Sequence, residues 1–230
     1  MRPREKSISS PKKRSHSWLR PLKKLSTATP FCKACLHPVR GASFLLLSPA
    51  SSILCPKCYA KMKPVFFRWK VGDIPCLSIY FYNAEIRTLL YRFKGCGDYE
   101  LKDVFFAYLS FWFPLRFHGY TLVPAPSSKS HDEARGFNQV EAMCQCLGLP
   151  IAHYLEKRVE AKQSDLSAQQ RKEVWKYMAY VGPSSLRGKK IMLVDDVYTT
   201  GSTAKACLSL LKARGPKKLV FLAMSKTLRK

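Results

Sequence analysis

The chain has 230 residues, 47% of them apolar, with 40 Lys and Arg against 15 Asp and Glu, a net charge of +25. That length allows one domain of ordinary size plus a small one, and the apolar share can build a real core. No apolar run reaches the ~18 residues of a membrane span, the closest being 104–113 before Pro114. The N-terminus lacks the apolar core of a secretory signal. A cytoplasmic protein with no membrane span is expected.

Residues 1–30 hold nine basic side chains and one acid in a Ser/Pro/Lys-rich stretch without periodicity. Such a tail is expected to be disordered, although a transit peptide would share its Arg/Ser-rich, acid-poor character. The remaining +17 falls on the folded part and points to a polyanionic partner. A solvated basic surface serving solubility is the plainer alternative.

Nine cysteines in a cytosolic chain read as thiols or metal ligands rather than disulfides. Cys32, Cys35, Cys55 and Cys58 form C-x2-C-x19-C-x2-C, within the spacing range of zinc sites. Four thiolates close a tetrahedral structural site with no open position for catalysis. A zinc ribbon over 31–75 is expected, with the main domain over 76–230. Cys76, Cys96, Cys144, Cys146 and Cys207 lack such pairing and read as packing residues. The basic, aromatic run from Pro64 to Lys70 could stack the bases of single-stranded DNA or RNA; it could equally be core edge.

Further along, Ile86, Leu89, Leu90 and Phe93 lie on one helical face, with Gly95 just beyond. A second helix is expected after Asp98, striped by Leu101, Val104, Phe105 and Tyr108. Thr121-Leu122-Val123 reads as a short strand stopped by Pro124-Ala125-Pro126. Val140, Met143, Cys144 and Leu147 mark another amphipathic helix, ended by Gly148 and Pro150.

The most informative stretch is Ile191 to Ala204, IMLVDDVYTTGSTA. Its unbroken apolar start suits a strand covered on both faces. Ala204, Cys207, Leu208 and Leu211 then recur at helical spacing up to Gly215-Pro216, and 219–224 reads as the next strand. Asp195, Asp196 and the loop after them therefore sit at the carboxyl end of a parallel strand, where open α/β sheets bind ligands. A helix N-terminus attracts phosphate. Gly201 permits close approach of the backbone, and the hydroxyls of Thr199, Thr200, Ser202 and Thr203 add donors. Paired carboxylates can accept from vicinal hydroxyls, so the whole describes a receptor for a ribose carrying a 5-phosphate. Helix capping alone explains Ser202 or Thr203, but not the paired acids.

This segment resembles the phosphoribosyl pyrophosphate (PRPP) signature of type I phosphoribosyltransferases: an apolar run, two acids and a TTG-S/T loop. The resemblance implies that Asp195 and Asp196 bind the ribose hydroxyls and are the catalytic pair. It gives the 5-phosphate to Thr199, Thr200, Gly201, Ser202 and Thr203. Four further stretches are similar to the ComF family: VPAP at 123–126, RGFNQVE at 135–141, YRFKGCGDYEL at 91–101 and LEKRVEAKQSDLSAQQR at 155–171. Members pair an N-terminal zinc ribbon with a phosphoribosyltransferase-like domain and are associated with uptake of single-stranded DNA during natural competence in bacteria. Two departures are visible. Val174 stands where the family usually has Asn, and of a second cysteine pair found in longer members only Cys76 is present.

The fold the resemblance implies is α/β: a type I phosphoribosyltransferase-like parallel sheet flanked by helices, preceded by a small zinc ribbon. In such a site Mg²⁺ neutralises the diphosphate of PRPP. Arg135 and Lys129, after the VPAP strand, are candidate diphosphate partners, Arg suiting bidentate contacts. Gln163 to Arg171 could form a lid that excludes water. Two functions remain open: an enzyme transferring a phosphoribosyl group, and a PRPP- or nucleotide-binding adaptor that binds single-stranded DNA and works with the DNA-uptake machinery. The intact acidic pair and loop serve both.

Overall fold

In the computed structural model the described residues are 31–39, 53–158 and 177–228. The expectations for the tail at 1–30, the lid at 163–171 and Val174 lie outside them. Among the described residues, no helix is long and apolar enough to cross a membrane.

The first element is a short helix, α1 (Pro56–Met62), opened by the Cys55 sulfur, which accepts from the Cys58 amide. A hairpin follows, β1 (Phe67–Val71) and β2 (Ile74–Phe81), turning at Gly72 with φ +61°. Helix α2 (Ala84–Gly95) starts where Asn83 Oδ1 accepts from the Ile86 amide at 2.9 Å. It buries Ile86, Leu89, Leu90 and Phe93, the stripe its spacing predicts. Beyond it come α3 (Phe113–Arg116), β3 (Tyr120–Pro124), α4 (Lys129–Arg135), α5 (Gln139–Cys144), β4 (Leu155–Lys157) and β5 (Met178–Tyr180). The strand β6 (Lys190–Tyr198), the helix α6 (Ser202–Lys212) and the strand β7 (Lys218–Lys226) complete the order.

Five strands form one sheet in the order β1-β2-β7-β6-β3. Its β2–β7, β7–β6 and β6–β3 pairs are parallel, as expected of this α/β chain. The exception is β1, an edge strand antiparallel to β2. Because β1 and β2 pair into the sheet, the sheet begins at Phe67, and the expected division at 75/76 falls inside β2. A separate two-stranded ladder joins β4 to β5, bringing Lys157 opposite Met178.

Two apolar layers cover the sheet. One holds Met192, Val194, Leu222 and Met224 against α2, α5 and the segment 101–113. The other holds Ile191, Leu193, Phe221 and Ala223 against α6. The second expected helix is not regular: Tyr99–Asp103 is a 3₁₀ turn, and irregular turns run on to Trp112. Leu101, Val104, Phe105, Phe106, Leu109 and Phe113 are all buried. That segment is apolar on every side and rich in aromatics, which lose rotamer freedom in a helix. It fills the space between the sheet and the cysteine-bearing segment instead of presenting one stripe.

The cysteine-bearing segment is docked on this layer. Lys33 pairs with Asp103 at 2.7 Å and Glu100 at 3.0 Å, and Tyr108 donates to the Tyr59 carbonyl at 2.6 Å. Arg92 donates to the Ala34 carbonyl and pairs with Asp98 at 2.7 Å. Cys32, Leu54 and Met62 join the main apolar cluster.

Candidate functional site

The strands β2, β7, β6 and β3 all end on one edge of the sheet, and β6 delivers the paired acids there. Alternation along β6 places Met192 and Val194 in one apolar layer and Ile191 and Leu193 in the other. By the same period, Asp196 leaves on the α2/α5 face and Asp195 on the α6 face. The two carboxylates thus flank the strand end rather than sharing one side of it.

Asp196 is buried, with its side chain 10% exposed. Its Oδ2 accepts from Lys94 Nζ and from Gln139 Nε2 at 2.9 Å, and its Oδ1 from the Val197 amide. Gln139 Oε1 in turn accepts from Arg135. A chain of contacts therefore runs from Lys94 on α2, through β6, to Gln139 on α5 and Arg135 on α4.

Asp195 Oδ1 accepts from the Asp196 amide at 2.9 Å. Burial, followed by repulsion from the Asp196 carboxylate, pushes the Asp195 carboxyl up to about 8. An acid raised in the folded state stabilises the fold fully below its unfolded pKa of about 3.9 and loses that contribution as pH rises toward 8. Asp195→Asn is accordingly expected to raise the melting temperature at pH 8 and to flatten its fall between pH 5 and 8. Melting curves across that range check this; a variant that tracks the parent at every pH would refute it. A native acid that costs stability is a signature of a residue kept for function.

After Tyr198 the chain enters the hydroxyl-rich loop. Thr199 and Thr200 are exposed, and Thr200 Oγ1 lies 3.1 Å from Ser202 Oγ. Gly201 caps α6 at φ +79°, and its carbonyl accepts from the Lys205 amide at 2.8 Å. A Cβ there would come within 2.4 Å of the Tyr198 hydroxyl. Ser202 and Thr203 open the first turn of α6, half-exposed, with their backbone N–H groups at its positive end.

The loop after β3 is tied by Asn138, which donates to Ser127 Oγ at 2.9 Å and Asp132 Oδ2 at 3.0 Å. Arg135 turns inward to Gln139 and lies 3.8 Å from Asp132. Lys129 opens α4, and its side chain lies outside the described set. A shallow groove of about 630 Å³ at the start of α2 holds Tyr82, Arg87 and Tyr91 but neither aspartate.

The basic, aromatic run resolves into β1. Trp69 packs at 5.3 Å from Tyr198 and 6.1 Å from Phe221, its Nε1 buried without a partner. Trp69 is therefore core edge, while Arg68 and Lys70 on the opposite face are exposed.

The four paired cysteines converge, their sulfurs all within 4.8 Å of one another. Cys35 and Cys55 lie 3.7 Å apart. A tetrahedral Zn²⁺ with Zn–S of about 2.3 Å requires about 3.8 Å between sulfurs. Backbone N–H groups of Cys55, Cys35 and Ala34 outweigh burial at Cys32 and draw its thiol down to about 7, toward the ligating thiolate. The donor set fits a metal such as zinc. Of the other cysteines, Cys76, Cys144 and Cys207 are buried as expected of packing residues, whereas Cys96 is exposed.

Comparison with known proteins agrees with this geometry. A phosphoribosyl transferase domain model matches residues 133–226, which include the acids and the loop. The competence protein ComFC of Bacillus subtilis is 34% identical over 140 residues, covering 60% of this chain and 58% of the relative. ComFC of Streptococcus pneumoniae is 33% identical, covering 61% and 63%. The DNA utilization protein YhgH of Salmonella typhi is 28% identical over 213 residues, covering 86% and 90%.

The chain is similar to proteins of the ComF family.

Its alignment with the two ComFC relatives spans about six tenths of their length. The chain has a phosphoribosyltransferase-like α/β fold preceded by a four-cysteine, zinc-ribbon-type cluster. The sequence singles out Arg135 as a candidate at this site but not Gln139, although both lie in RGFNQ. It also passes over Lys94, within YRFKGCGDYEL, and Tyr198, which reads as a spacer between the acids and the loop.

Proposed function

We propose that this chain binds PRPP at the carboxyl edge of its sheet, with Asp195 and Asp196 receiving the ribose hydroxyls. Residues Thr199, Thr200, Gly201, Ser202 and Thr203 take the 5-phosphate. The observation that carries the reading is the junction of β6 with α6: two carboxylates, a left-handed glycine and a helix N-terminus within nine residues. Mg²⁺ would accompany the diphosphate as an oxygen-seeking cation, and zinc on the four cysteines would be structural. The ribbon unit would end near Phe66, ahead of β1, with the basic tail over 1–30 as a separate unit. The names of the relatives, competence and DNA utilization proteins, support a role in DNA uptake, and the net charge of +25 suits single-stranded DNA as a partner.

Pyrophosphate release from PRPP across a panel of bases, with and without single-stranded DNA, tests the reading. Sustained turnover makes the chain a phosphoribosyltransferase. Saturable binding without turnover makes it an adaptor, a reading favoured by the way Lys94 and Gln139 already occupy Asp196. Under both, at pH 9, where the Asp195 carboxyl is ionised, Asp195→Asn lowers PRPP affinity by about tenfold or more, since a charge-assisted hydrogen bond is worth about 1.5–3 kcal/mol. Unchanged affinity in a folded variant would remove the ribose assignment.

A further inference from the structure

Asp196 is nearly saturated as an acceptor. An ionised carboxylate offers about four acceptor directions. Lys94 and Gln139 take two on Oδ2, and the Val197 amide takes one on Oδ1. One direction remains on Oδ1, so a ribose hydroxyl that falls to Asp196 rather than Asp195 competes with Lys94 and Gln139 for Oδ2.

The donors differ in how firmly they are held. The Val197 amide is part of β6. Gln139 is fixed from behind, its Oε1 accepting from an Arg135 side chain only 15% exposed. Lys94 reaches Asp196 from the last turn of α2, on a flexible four-carbon stem, and its side chain is 30% exposed. Its ammonium can leave the carboxylate without uncovering a buried cation.

The destination follows from the ligand's own connectivity. C1 of the ribose, which carries the diphosphate, is bonded to C2, whose hydroxyl would sit on the acid. A cation displaced by that hydroxyl is thus left beside the diphosphate. We propose that Lys94 is an exchangeable cation. It neutralises Asp196 in the empty site and passes its ammonium to the diphosphate when a ribose hydroxyl takes its place on the carboxylate. The inference rests on the PRPP reading and gives that site a selectivity: Lys94 competes with the ribose but rewards a ligand that brings a diphosphate.

The opposed effects supply the test. Ribose 5-phosphate and PRPP, each with Mg²⁺, are titrated calorimetrically into the full chain and into its Lys94→Met, Lys94→Gln and Lys94→Arg variants. In Lys94→Met, ribose 5-phosphate should bind several-fold more tightly, since its competitor is gone. PRPP should bind about tenfold more weakly, the loss of one charge-assisted contact. Lys94→Arg should restore PRPP binding. If Lys94→Met does not fold, Lys94→Gln, which keeps a neutral donor for Asp196, carries the same comparison: weaker PRPP with undiminished ribose 5-phosphate. Parallel losses for both ligands would mark Lys94 as a structural tether and overturn the exchange, as would no change for either. A parent chain that binds neither ligand would instead sink the PRPP reading itself, a failure visible before any variant is made.

Discussion

Replacing Gly201 by alanine should cut PRPP affinity by about 100-fold, corresponding to the loss of about two charge-assisted hydrogen bonds from the loop. Two independent strains meet at this residue. Its φ of +79° is left-handed, which costs an L-residue roughly 1–2 kcal/mol. Its new Cβ would also lie 2.4 Å from the Tyr198 hydroxyl and 2.6 Å from Cζ. The tyrosine has little room to retreat, because Trp69 and Phe221 pack against its ring and Lys226 lies 6.0 Å over it. The loop must yield instead, turning the first N–H groups of α6 away from the phosphate position. Combining Gly201→Ala with Tyr198→Ala separates the strains: the clash goes, the dihedral cost stays, and binding should recover only in part. Titration with PRPP and a melting curve read both effects. An affinity within twofold of the parent would show that the loop does not hold the phosphate.

How far the sequence reveals this site depends on the range of each contact. The strand β6, the loop and α6 are continuous in the chain, so apolar run, acids, glycine and helical spacing could all be read locally. The structure extends that strand to Tyr198, past both acids, because Val197 and Tyr198 still pair with Ser225 and Lys226. Lys94 is different: it meets Asp196 across 102 residues, and a lysine in the last turn of an amphipathic helix looks like ordinary complementation of the helix dipole. Its spacing and charge do not mark it, although it lies within the YRFKGCGDYEL stretch. The opposed faces of Asp195 and Asp196 follow from strand periodicity once the strand is known to run through them.

The hairpin 67–81 was hidden for another reason. Pro75 in its second strand argues against a central strand, and FRWKV carries its charges where a nucleic-acid surface would also carry them. Pro75 is tolerated because it is the second residue of β2, opposite Lys70 on the edge strand. Of the aromatic residues that suggested base stacking, Trp69 instead joins the sheet to the loop after β6, packing on Tyr198, which lies beneath Gly201, while Phe66 and Phe67 are exposed.

Removing the metal should have the largest effect on stability. Structural zinc contributes an apparent 10–16 kcal/mol or so to the folding of small cysteine modules. Four sulfurs gathered within 4.8 Å of one another otherwise have little to hold them. We expect one zinc per chain by elemental analysis, lost in a Cys55→Ser/Cys58→Ser variant, with a fall of about 10 °C or more in melting temperature. Hydrogen exchange should show residues 32–39 and 53–62 opening first, because their hold on the rest is a few polar contacts, Lys33–Asp103, Tyr108–Tyr59 and Arg92–Ala34, around the buried Cys32, Leu54 and Met62. The carboxyl edge of the sheet should change little. Arg92 loses the Ala34 carbonyl but keeps Asp98 at 2.7 Å, so the end of α2 that carries Lys94 stays fastened. PRPP affinity within about threefold of the zinc-loaded protein is therefore expected, because the lost bond from the Arg92 guanidinium lies away from the ligand and Arg92 keeps its ion pair with Asp98. Zinc retained after both serine substitutions would place the metal elsewhere. A collapse of PRPP binding in step with chelation would make the ribbon part of the binding site and not only a support for α2.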